Sequence, residues 1–148
     1  MNDIQILHNQ PMLIDECSME GLLNFPGFKA SYAAAYEGYD LDIDTVELLK
    51  PLVQELKFTI VLGTWCGDSL RQVPPLLKVL AALEIDENNI RIVAVDLAKR
   101  TVNYPIADLH IERVPTVILY AHGIELGRIV ETPIETFEKD IYYLLTNE

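Results

Sequence analysis

The segment from Phe58 to Asp96 constrains the fold of this chain most. "FTIVLG" is a short, continuous apolar run rich in β-branched residues, the pattern of a strand buried on both faces. After it, from about Cys66 to Leu83, the residues Leu70, Val73, Leu77, Leu80 and Leu83 make one apolar helical stripe. "IRIVAVD" then reads as a second strand. A strand, a helix and a strand in that order predict two parallel strands joined by a right-handed crossover. This places the chain in the α/β class.

Downstream, "TVILYAHGIELGRIV" holds two β-rich runs, Thr116 to Tyr120 and Glu125 to Val130, around a turn that Gly123 can supply, so it reads as an antiparallel hairpin. "TPIETFEKDIYYLL" predicts a last helix with Thr132 as N-cap, Pro133 at the first position and Glu135 three residues after the cap. Its buried face would be Ile134, Phe137, Ile141, Leu144 and Leu145. Before Lys57 every recognisable segment has helical character: around Asp15 to Leu23, then "GFKASYAAAYEGY", then "DIDTVELLKPLVQEL". In the last of these Asp44 with Glu47 resembles a capping box, and Pro51 predicts a kink or a break. Tyr32, Tyr36 and Tyr39, at helical spacing, read as packing of these helices onto the domain. The expected organisation is a helical N-terminal extension over residues 1–56 and a domain over 57–148, built on a mixed sheet of about four strands flanked by helices.

Composition excludes several functions. A formal charge of −12 disfavours nucleic acid and anionic lipid, which are bound by neutralising phosphates with Lys and Arg. No apolar run is long enough to span a membrane, and the first residues show no basic segment followed by an apolar one, so the cytoplasm is the expected location. Two cysteines, Cys17 and Cys66, are too few for a disulfide scaffold and fit a reducing compartment. His8, His110 and His122 show no metal-ligand spacing, so neither a metal nor another cofactor is expected.

The chemistry concentrates in "GTWCGDSLRQVPP". Cys66 falls where a strand gives way to a helix, and Gly67, Asp68 and Ser69 mark an exposed helix start. Unpaired N–H groups and the positive dipole end of a helix stabilise a thiolate, which is the nucleophilic form of cysteine. Asp68 is either an ordinary first-turn dipole partner or a group that moves a proton near the sulfur. Ser69 is either a first-turn polar residue or a hydroxyl that donates to the Cys66 thiolate.

"TWCGDS", Pro74 eight residues after the cysteine, "VPT" at Val114 to Thr116, and a Gly-containing hairpin followed by "GRIVETP" together resemble the thioredoxin-like superfamily, in particular its proteins with a WCGD motif. The resemblance spans roughly Phe58 to Glu148. It implies a thioredoxin-like fold in which Pro115 is cis and lies against Cys66. It also implies a substrate-binding surface of Trp65, Gly67, Val114 and Pro115, with Val114 offering its backbone to an incoming peptide. Three positions depart from the family: Ser69 replaces the resolving cysteine, Asp68 the common proline, and Ile60 the buried acid that serves the second thiol. These departures point away from a general disulfide reductase. The function implied is thiol–disulfide exchange by one catalytic thiol, Cys66, with Ser69 and Asp68 beside it. Its partners would be a protein disulfide or a small-thiol adduct, and an external reducing thiol. Three alternatives accompany it: a peptide-binding module on the same scaffold, Cys17 as a resolving thiol, and, because "CGDS" resembles the Cys-Gly-Phe-Ser motif of monothiol glutaredoxins, a cluster shared between subunits.

Overall fold

The computed structural model describes residues 1–7 and 9–147, so His8 and Glu148 lie outside the described residues. Six strands form a single mixed sheet: β1 (Asp3–Leu7), β2 (Gln10–Cys17), β3 (Leu56–Leu62), β4 (Ile90–Ala94), β5 (Thr116–Ala121) and β6 (Ile124–Val130), in the spatial order β1-β2-β4-β3-β5-β6. Among the described residues only β3 and β4 run parallel, and they are joined through helix α4 (Gly67–Ala82) as the apolar pattern requires. All other pairings are antiparallel. The β5–β6 hairpin turns through His122 and Gly123, at φ of 52° and 80°, the positive angles of the tight turn that matches strand twist.

Six strands replace the expected four, and the N-terminal 56 residues are not purely helical. The apolar residues around Cys17 and Leu22 belong to two elements. A strand carries them through Cys17, and a short helix α1 (Met19–Asn24) begins only after Ser18, whose hydroxyl caps the Gly21 N–H at 2.9 Å. The physical reason lies in "IRIVAVD": a strand apolar on both faces needs a neighbour along each edge, and β2 supplies the outer one, pairing Asp15, Glu16 and Cys17 with Ala94, Val93 and Ile92. Helices α2 (Pro26–Glu37) and α3 (Ile43–Leu49) follow as expected. The cap of α3 is Asp42, not Asp44, because Asp42 accepts the Thr45 N–H at 3.2 Å. At Pro51 the helix gives way to a single 3-10 turn, Lys50–Leu52.

The last helix, α5 (Phe137–Thr146), starts later than the sequence suggested. Thr136 is its N-cap, accepting the Lys139 N–H at 3.0 Å. The residues after Thr132 instead form a turn held by the Asp140 carboxylate, which accepts the N–H groups of Ile134 and Glu135 at 2.7 and 3.1 Å. Ile134 is therefore 95% exposed and takes no part in the buried face.

Register explains where the core lies. Cys17, Ile92, Ile60, Val117 and Ile129 are partners across five strands, so their side chains share one face. All five join the main core with Leu22 of α1, Phe28 of α2, Leu49 of α3, Leu80 of α4 and Ile141 of α5. Each fully buried side chain of this kind stabilises the fold by roughly 1.5–3 kcal/mol. The tyrosines do pack these helices together. Tyr32 stacks between Phe28 and Tyr36, and the Tyr39 hydroxyl donates to Glu138, a fully buried carboxylate that also takes the Asp42 N–H at 2.6 Å. Burial, with Glu138 beside it, holds the Tyr39 phenol above its ordinary range.

The opposite face is covered differently. Val61 and Val93, partners on β3 and β4, cluster with Val95, Ile106 and Val114, and the covering segment, residues 96–115, has only one 3-10 turn, Ala107–Leu109. Among the described residues no helix is long and apolar enough to cross a membrane.

Candidate functional site

Strand β3 ends at Leu62, and the chain turns through Gly63, Thr64 and Trp65 before α4 begins at Gly67. The Cys66 N–H donates to the Gly63 carbonyl at 3.0 Å, which closes this turn and leaves Cys66 as the N-cap of α4. Among the described residues the N–H groups of Gly67, Asp68 and Ser69 have no backbone acceptor, as geometry dictates for the first turn of a helix. The cysteine therefore stands where partial positive charge accumulates.

Two hydroxyls fasten the turn to the sheet. Ser69 is fully buried, and its oxygen accepts the Gly63 N–H at 3.2 Å. Thr64 is also buried, and its oxygen accepts the Leu13 N–H at 3.2 Å, tying the turn to β2. Trp65 folds back across Gly63, where an added Cβ would meet the indole at 2.5 Å, and the indole N–H donates to the Val95 carbonyl at 2.9 Å. Only glycine at position 63 admits the ring so close.

The sulfur of Cys66, half-buried, donates to the Val114 carbonyl at 3.6 Å. The Val114–Pro115 peptide bond is cis. Pro115 is buried, its carbonyl accepts the Glu131 N–H at 2.7 Å, and the Thr116 hydroxyl donates to the Arg113 carbonyl at 2.7 Å. Trp65 and Cys66 both pack at the margin of the apolar cluster that contains Val114.

The structure thus brings Trp65, Cys66, Val114 and Pro115 together, with Gly67 opening α4 beside the cysteine, and turns Asp68 and Ser69 to other partners. Asp68 turns outward and pairs with Arg71, one helical turn on, with both side chains exposed. Ser69 turns inward to Gly63. Arg113 pairs with Glu131 at 3.4 Å, on the surface. Ile60 is fully buried in the main core, among apolar neighbours. Cys17 is buried on the helix-covered side of the sheet; desolvation pushes its thiol up to about 11, and its Sγ donates to the Asp15 carbonyl at 3.5 Å. Among the described residues no three His, Cys, Asp or Glu side chains converge as a metal site.

Sequence reasoning missed Thr64, the Val95 carbonyl and Asp15. Asp15 is buried in β2 at a φ of 68°, and its carboxylate accepts the N–H groups of Val102 and Asn103 at 2.6 and 2.9 Å. It anchors the segment that walls the second face. The available signal was an acid directly after the apolar run "MLI". A cavity of about 770 Å3 lies away from Cys66, on the second face towards the start of β3, beside Lys57, Arg91, Tyr104 and Tyr120.

No protein-family model matches the chain, and no curated protein matches it. Among solved structures it is similar to a protein of unknown function from Pseudomonas aeruginosa, with 17% identity and a TM-score of 0.56 over 87% of this chain and 80% of that one. It is likewise similar to an HIV epitope-scaffold, with 18% identity and a TM-score of 0.56 over 88% and 82% of the two chains. At such identity the likeness concerns the fold alone.

Proposed function

We propose that this chain is a thioredoxin-like protein of the cytoplasm that carries out thiol–disulfide exchange through one thiol, Cys66. The observation that carries the reading is the position of that sulfur: half-buried, at the start of α4, and 3.6 Å from the Val114 carbonyl. The sulfur there lies at the positive end of a helix dipole and is open to a substrate on its exposed side. The Val114 N–H has no acceptor among the described residues, which leaves it free for one strand-like hydrogen bond to a bound peptide.

In the first step the Cys66 thiolate attacks one sulfur of a substrate disulfide. A Cys66–substrate S–S bond forms, the substrate's own S–S bond breaks, and the second substrate sulfur leaves as a thiolate. The mixed disulfide is then resolved by another thiolate. If it belongs to the substrate, the result is isomerisation with no net redox change. If it comes from an external small thiol, two such thiols are oxidised to a disulfide and the substrate disulfide is reduced. Cys17 is unsuited to this step, being buried with its thiol pushed up to about 11. Replacing Cys66 by Ser should abolish turnover of a protein–glutathione mixed disulfide, and undiminished turnover would overturn the reading.

A second reading has its own support. Asp68 is engaged with Arg71, and the Ser69 oxygen with Gly63, so neither carboxylate nor hydroxyl oxygen is directed at the sulfur. On this reading the Trp65, Val114 and Pro115 surface holds a peptide and Cys66 is incidental. The pH dependence of Cys66 alkylation separates the two. Reaction that reaches its plateau well below the free-thiol range, about 8.5, supports exchange, and free-thiol behaviour supports the binding module.

A further inference from the structure

We propose that the cleft in the 99–111 segment is a binding site for a small anion bearing carboxylate or phosphate groups. The cleft has a volume of about 430 Å3, the size of a small-molecule pocket, and is lined by Lys99, Arg100, Thr101 and His110 together with the apolar Ile106 and Ile111. Among the described residues no carboxylate lines it, in a chain with 23 acidic residues against 11 Lys and Arg. Two acids bonded to the segment, Asp96 and Asp15, hold backbone N–H groups, while Asp108 and Glu112 lie in or beside it without lining the cleft. Asp96 accepts the N–H groups of Ala98 and Arg100 at 2.8 and 3.0 Å, Asp15 accepts those of Val102 and Asn103, and Asp108 lines the separate 770 Å3 cavity.

Arg100 itself is the second observation. Arg71, Arg91, Arg113 and Arg128 each pair with a carboxylate, whereas Arg100 pairs with none among the described residues. A guanidinium with no carboxylate partner among the described residues, beside a lysine and a histidine, concentrates positive potential in a concave site. A guanidinium fork matches the two oxygens of a carboxylate or phosphate, and the ammonium of Lys99 adds a second charge, while the Thr101 hydroxyl is spent on the Tyr104 carbonyl and shapes the wall. The walls are held in place, since the Asp15 carboxylate binds the backbone at Val102 and Asn103. Ile106 belongs to the apolar cluster that Trp65, Cys66 and Ile111 pack against, so a bound anion shares the thiol's side of the sheet.

The test is an NMR titration of the Cys66→Ser protein at low ionic strength with inorganic phosphate, succinate and oxidised glutathione. Because the thiol is absent, failure of the exchange reading leaves this result unaffected. The expected result is saturable shifts concentrated in the amides of residues 99–111, weakened ~10-fold or more by the paired changes Lys99→Glu and Arg100→Glu. Arg100→Gln, which removes the charge without reversing it, should weaken binding by a smaller factor and guards against disturbance of the segment. Tighter binding of oxidised glutathione than of succinate would assign the anion to an acidic disulfide, and binding of succinate or phosphate as tight or tighter would assign the site to the anionic group alone. Shifts scattered over the surface, or shifts unchanged in the doubly substituted protein, would overturn the proposal.

Discussion

The two faces of the sheet are built on opposite plans, and the two cysteines are divided between them. One face lies under five helices and buries Cys17 in a row of side chains that crosses five strands. The other is closed by an irregular segment, and Cys66 lies at the edge of its small apolar cluster. Stability is concentrated on the first face, and the second keeps unpaired donors, clefts and an accessible sulfur. Accessibility follows from this division more than from the identity of the residue, since the same thiol group is buried in one place and half-buried in the other.

The contrast can be broken most severely through packing. Ile60→Ala, at a fully buried position under the helices, should cost near the upper end of the range of about 2–5 kcal/mol, and Ile106→Ala, 8% exposed under the irregular segment, near the lower end. Denaturant unfolding of the two variants measures the difference, and equal losses would refute the division. Next in size is Asp15→Ala, which leaves two backbone N–H groups without their acceptor and should cost about 1–3 kcal/mol. Hydrogen exchange should speed up at Val102 and Asn103 while the helix-covered strands stay protected.

Cys17 offers a pH test of comparable size. Its thiol rises from an ordinary value of 9.0 to about 11 on folding, so between these values the native state holds a proton that the unfolded chain has lost. Stability from this group is complete below pH 9, and it is lost as the pH climbs to about 11, by roughly 2–3 kcal/mol. The loss should be absent in Cys17→Ala, as judged by unfolding at pH 8 and pH 11. Smallest is Arg71→Ala: both partners of the Asp68 pair are exposed, so stability should change by less than about 1 kcal/mol. A larger change would mean that the first turn of α4 depends on this pair.

Much of the fold was legible where burial is strong and periodic. "FTIVLG", "IRIVAVD", the stripe on α4 and the Gly123 hairpin declared themselves because each carries a single, uninterrupted pattern. The N-terminal hairpin did not. Ile4 and Ile6 alternate as a strand should, but they point outward at 58% and 69% exposure, and Pro11 with Asp15 and Glu16 interrupts the apolar run of β2. What makes β2 a strand is the vacant edge of β4, a tertiary demand that no local window contains. The start of α5 was misread for a different reason: Thr132 followed by Pro133 is a valid local cap, and the Asp140 side chain, one to two helical turns on, overrides it by binding the backbone at Ile134 and Glu135. At the candidate site, Trp65, Cys66, Val114 and Pro115 were legible as motifs. The inward turn of Ser69 and the outward turn of Asp68 were not, because a first helical turn presents adjacent residues in different directions and only the packed turn at Gly63 decides between them.

Trp65 is the sole tryptophan of the chain, and its indole is locked between Gly63 and the Val95 carbonyl, next in sequence to Cys66. The protein thus contains its own optical reporter. Its emission originates from one place only, beside the sulfur, so a change of chemical state at Cys66 or the arrival of a molecule in the neighbouring cleft can be followed in real time, without a label, in the unmodified chain.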